Sequence, residues 1–113
     1  ELDVSLVGSE MCIRDRLNTW QMGDIGKHEK FNNNTKKALA NINCPALVMP
    51  SSTDLSFPAR NNIPEVKEMP NAELKVINTK HGHLAGGMST TLTSQEDVTF
   101  IDKNIREFLK KIT

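Results

Sequence analysis

The residues best equipped for chemistry are one acid and two histidines. Asp54 follows the apolar run Ala46-Leu47-Val48-Met49, and His81 and His83 follow the alternating run Glu73-Leu74-Lys75-Val76-Ile77. Asp54 and His83 are 29 residues apart, with a helical segment between them. A carboxylate bonded to an imidazole fixes its tautomer and stabilises the imidazolium, leaving the other ring nitrogen free to take a nucleophile's proton. Each residue also has a plainer explanation. Asp54 can close an Asx-turn after a strand, and His83 can be a satisfied loop histidine. His81 is the rival base, and His81 with His83 offers a metal two ligands with no clear third. His28 lies in a polar stretch and reads as solvated. Gly86-Gly87 suits backbone anion binding or a flexible loop, and Trp20 and Met22 suit an acyl pocket or plain packing equally.

These side chains need elements to carry them. Leu17 to Asn34 is irregular, with Gly23, Gly26 and three consecutive asparagines, and reads as loop with one helical turn. Thr35 to Ile42 is helical in character, with Asn34 able to cap it. Ala46 to Met49, bounded by Pro45 and Pro50, reads as a strand buried on both faces. Ala59 to Met69 is a candidate helix; Pro64 suits a first turn, which moves the expected start to about Asn62. Glu73 to Ile77 reads as a second strand, closer to an edge. Ser94 is a good N-cap for a last helix, with Gln95, Glu96 and Asp97 in its first turn. Phe100, Ile101, Ile105, Phe108, Leu109 and Ile112 share one face of that helix.

The order helix, strand, helix, strand, helix predicts an α/β fold with parallel strands and crossover helices. In such sheets ligands bind beyond the carboxyl ends of the strands, where Asp54 and His83 lie. Two strands of buried type are too few for a stable covered sheet. The fold is therefore expected to be incomplete, with further strands upstream.

The amino terminus fits none of these elements. Leu6 to Arg16 reads LVGSEMCIRDR. It matches, residue for residue, the translation of a transposon-end sequencing adapter (CTC GTG GGC TCG, then GAG ATG TGT ATA AGA GAC AG). Residues 1–16 are therefore expected to be a disordered scar and are set aside, leaving 97 residues, 17–113, as part of one domain. That remainder holds 12 Lys and Arg against 10 Asp and Glu, too even to imply nucleic acid or an acidic membrane. No apolar run approaches the roughly 20 residues of a membrane span. Cys44 is the one cysteine left, so no internal disulfide is expected; preceding an apolar run, it reads as a small buried side chain. A cytoplasmic protein is the expectation.

VMPSSTDLSFP, NAELKVI, HGHLAGG and FIDKNIREFL together resemble the carboxyl-terminal part of α/β-hydrolase-fold proteins, and within them the homoserine O-acetyltransferase-like group. TWQMGDIG is similar to the segment leading out of that group's cap region. The resemblance implies a catalytic triad in the chain order Ser, Asp, His. It assigns the acid to Asp54, ahead of Phe57-Pro58, and the base to His83, in the pair Gly82-His83. No nucleophile elbow is present, and His83 is followed by Leu-Ala-Gly-Gly rather than by the acidic residue and Phe usual in that group. The chain is thus expected to be an inactive fragment of a parent acyltransferase. The implied partners are a small-molecule acyl donor, acetyl-CoA as co-substrate, and a hydroxyl acceptor such as homoserine. No metal or redox cofactor is implied, and the parent could form a homodimer. Two alternatives stay open: an ester or thioester hydrolase using the same Asp54 and His83, and a non-enzymatic α/β binding module.

Overall fold

A computed structural model describes residues 14–86 and 94–113. The chain divides into two units, Glu1–Thr35 and Lys36–Thr113. The first thirteen residues of the segment set aside, and Gly87 of the Gly86-Gly87 pair, lie outside the described residues.

In the first unit, residues 14–22 form helix α1, so Arg14, Asp15 and Arg16 make its first turn. The stretch 17–34, expected to be loop with one helical turn, thus contributes six residues to α1, and Arg14 to Arg16 are helical rather than disordered. Asp24 ends the irregular stretch that follows. Its Oδ1 accepts the Gly26 N–H and the Thr35 hydroxyl, both at 2.8 Å, and starts a 3-10 turn over Ile25–Lys27. Those bonds hold the Asp24 carboxyl below its usual range, the Gly26 N–H foremost and the Thr35 hydroxyl next. Gly26 is obligatory, because a Cβ there would meet the backbone of Asn34 and Thr35 within 3 Å. A second 3-10 turn, Glu29–Phe31, is capped by His28, whose Nδ1 accepts the Lys30 N–H at 3.2 Å. Asn32 and Asn33 then take left-handed backbone angles, which asparagine tolerates.

Helix α2 (Thr35–Ala40) starts at the last residue of the first unit, and the second unit carries the rest of it, strand β1 (Ala46–Val48), helix α3 (Ala59–Glu68), strand β2 (Ala72–Leu74) and helix α4 (Gln95–Ile112). β1 and β2 pair in parallel, with Ala46 opposite Ala72 and Val48 opposite Leu74. An isolated parallel bridge joins Ser51 to Ile77 in the same register. The regular strands are shorter than the sequence suggested, and Pro50 explains why. The Lys75 N–H reaches the Val48 carbonyl, the Ile77 N–H reaches Pro50 and the Ser52 N–H reaches Ile77, at 2.9, 2.8 and 2.9 Å. The rung due between them needs an N–H at Pro50, which proline lacks.

Three further expectations are corrected. α3 starts at Ala59, not near Asn62, so Pro64 sits at its sixth position. Pro58, at φ −61°, caps the helix, and its carbonyl accepts the Asn61 N–H at 2.9 Å, which tightens the first turn. Cys44 is exposed rather than buried, because β1 begins two residues later and the thiol lies in the turn before it. β1 is half-buried along its length rather than buried on both faces, since the described sheet has only two strands. α4 follows its expectation: Ser94 Oγ accepts the Asp97 N–H at 3.1 Å, and 18 residues of helix follow. Lys111 near its end meets Glu73 of β2 at 2.9 Å.

Burial is concentrated where chemistry was expected. Among the described residues, Ala38 and Ile77 are the buried apolar side chains, against four buried polar ones: Ser51, Asp54, Thr79 and Asp97. Three of those four lie in the loops that leave β1 and β2.

Candidate active site

The loop after β1 turns on Asp54. Its Oδ1 accepts the N–H groups of Ser56 and Phe57, at 2.8 and 2.9 Å, an Asx-type turn that aims the chain into α3. Its Oδ2 lies 2.8 Å from Nδ1 of His83. The turn contacts and the imidazole contact therefore fall on different oxygens of one carboxylate. The carboxyl is held below its usual range, first by the Phe57 N–H, then by the His83 side chain, with Ser56 adding and desolvation opposing. An ionised carboxylate only accepts hydrogen bonds. Nδ1 of His83 must then carry the proton, which leaves the Nε2 lone pair to act as a base.

His83 sits in a 3-10 turn, Gly82–Leu84, in the loop after β2. Gly82 opens that turn at φ +55°, an angle glycine takes without strain. The Gly82 N–H reaches Thr53 Oγ1 at 3.0 Å, which ties the histidine loop to the acid loop one residue before Asp54. The imidazole rests at a tilt on the Phe57 ring, 5.4 Å between centroids. The side chain of Asp54 is 8% exposed and that of His83 62%, so the carboxylate is enclosed and the imidazole is open.

Beside the pair is a cavity of about 320 Å³ whose lining includes Ser51, Asp54, Phe57, Asn62, Ile77 and His83. Ser51 Oγ is buried there with no hydrogen-bond partner among the described residues. The rival candidates are placed elsewhere. His81 caps the turn through its backbone and faces a different cavity, with Lys80, Asp97 and Thr79. No group of three or more metal-ligating side chains occurs among the described residues. His28 is exposed and spends Nδ1 on a backbone cap. Trp20 and Met22 are exposed in the first unit. Gly86, at φ +72°, lies against the Ile101 side chain.

Two buried residues behind the loop that carries His83 went unnoticed. Thr79 Oγ1 donates to Asp97 Oδ2 at 2.5 Å, and both side chains are buried. Asp97 reads in sequence as one of three polar residues in a helix's first turn. Its position three residues after the cap is the one signal that separates it from Gln95 and Glu96.

No protein-family model and no solved structure matches the chain. Among curated proteins, the chain is similar to a probable esterase of Corynebacterium glutamicum, 34% identical over 91 residues, which cover 80% of this chain and 24% of that protein. It is also similar to an ethyl acetate hydrolase of Pseudomonas veronii, 35% identical over 65 residues, which cover 58% of this chain and 18% of that protein. The chain thus spans about a quarter or less of these relatives. Both carry names of ester hydrolysis, and neither is named for acyl transfer. No helix among the described residues is long and apolar enough to cross a membrane.

Proposed function

We propose that this chain supplies the orienting acid and the general base of an α/β-hydrolase-fold enzyme that cleaves small carboxylic esters. The 2.8 Å contact between Asp54 Oδ2 and His83 Nδ1 carries this reading. His83 Nε2 takes the proton of a serine hydroxyl as that oxygen attacks the ester carbonyl. The imidazolium, stabilised by Asp54, returns the proton to the leaving alcohol. Water then enters; His83 takes its proton as the water oxygen attacks the acyl carbon, and the imidazolium gives that proton to the serine oxygen as the acyl–serine bond breaks, which releases a carboxylic acid and restores the serine hydroxyl. The nucleophile belongs to a longer protein of which these residues form a part. None of the described serines lies in a Gly-x-Ser-x-Gly context: Ser52 bonds Thr79, Ser94 caps α4, Ser56 lies in the Asp54 turn, and Ser51 Oγ is buried without a partner.

Acyl transfer to a hydroxyl such as that of homoserine would use the same pair. The names of the two relatives support water as the acceptor better. The test uses the uninterrupted gene product with an acetate ester. Asp54→Asn is expected to lower kcat by about 10⁴-fold and His83→Ala by about 10⁶-fold, with KM changed little. The 113-residue chain alone is expected to hydrolyse no ester above the buffer rate. Near-normal turnover by the His83 variant, or Ser-dependent turnover by the short chain, would remove the reading.

A further inference from the structure

The ring of His83 is held by Asp54, but the backbone that carries the ring is held from elsewhere. Every polar atom of Thr79 is engaged. Its N–H donates to Ser52 Oγ at 3.2 Å, and its carbonyl accepts from Ser52 Oγ at 3.3 Å and from Thr53 Oγ1 at 2.9 Å. Its hydroxyl donates to Asp97 Oδ2 at 2.5 Å and accepts the His81 N–H at 3.1 Å. A hydroxyl has one proton, so commitment of that proton to Asp97 turns a lone pair toward His81. His81 is the N-cap of the turn carrying His83.

Asp97 is well placed to fix this arrangement. It lies in the first turn of α4, where free amides and the helix dipole favour a negative charge. It is 5% exposed, and Thr79 is 7% exposed, so losing either partner strands a buried polar group. A bond to a charged acceptor is also the stronger kind. The start of α4 is thereby tied to the loop that carries the base.

We propose that Thr79 and Asp97 are positioning residues for His83, holding the backbone of its turn so that Nδ1 stays on Asp54. This rests on the Asp54–His83 reading above, and the test separates the two. In the full 113-residue chain, histidine-selective NMR follows the His83 Nδ1–H proton and its exchange with water. Asp54→Ala is the control and should abolish the slow exchange. Thr79→Val should speed it by at least about tenfold. Thr79→Ser, which keeps the hydroxyl, should restore it, while the amides of Ser52, Lys75 and Ile77 keep their protection in both. If Thr79→Val also strips those amides, Asp97→Asn is measured instead; faster Nδ1–H exchange with those amides retained supports the role, and unchanged exchange overturns it. A signal that depends on Asp54 but not on Thr79, or a Thr79→Ser variant that fails to restore it, overturns the positioning role alone. A wild-type signal that is absent or indifferent to Asp54→Ala overturns the acid–base pair and this inference with it.

Discussion

Asp54 divides its work between two oxygens, one shaping the turn and one meeting the imidazole. This division makes its ionisation matter to stability as well as to chemistry. The native carboxyl is lowered, so the folded chain binds that proton less readily than the unfolded chain does. The resulting stabilisation is complete above the ordinary aspartate value of about 3.9 and is lost as pH falls through the lower native value. Denaturant midpoints for wild type and Asp54→Asn should therefore differ by a constant amount near neutral pH and converge in acid. A gap that stays unchanged in strong acid would contradict the coupling. Asp54 and His83 were legible in the sequence because each follows a run that reads as a strand, and strand ends define a rim. Thr79 and Asp97 were not, because a threonine in a loop and an acid in a first helical turn are ordinary at the level of residue type. Their meaning comes from the hydrogen bond that joins them across 18 residues.

At the scale of elements, alternation was legible and boundaries were not. The parallel pair and the long last helix follow from patterns of apolar residues, which burial enforces. Prolines decided the boundaries, and they act through one missing donor each. Pro50 removes a ladder rung and splits the strand pair from the Ser51–Ile77 bridge. Pro64 was read as a first-turn residue on the usual preference, yet α3 begins five residues earlier, where Pro58 and the Asp54 turn set the chain's direction. A proline in a helix interior costs about 3 kcal/mol through its lost bond and ring clash. The entropy it removes from the unfolded chain offsets at most about 1 kcal/mol. Pro64→Ala should therefore stabilise the chain by roughly 1–2 kcal/mol, read as a higher denaturant midpoint at unchanged slope. A lower midpoint would mean that the backbone path Pro64 imposes on α3 is needed for its packing on β2.

Over the whole molecule, the distribution of burial sets what the isolated chain can do. Among the described residues two apolar side chains are buried, while the exposed large ones include Leu55, Phe57 and Leu84 beside the site and Phe100, Ile105 and Leu109 along α4. Burial of apolar area is the main favourable term in folding, so a chain with this distribution has little margin. What margin exists lies in the hydrogen-bonded loops and the ladder around Asp54, Thr79 and Ile77. Hydrogen exchange should therefore be slowest at Ser52, Lys75 and Ile77 and much faster through the last turns of α4, with no single global value shared by all. The same surfaces should make the chain self-associate, with sedimentation that depends on concentration and binding of an apolar dye. A concentration-independent monomer that melts in one sharp transition, with uniform protection across β1, β2 and α4, would instead mark a self-sufficient module. That outcome would favour the binding-domain alternative, because a pair built to serve a longer enzyme has no reason to sit on a core sufficient by itself.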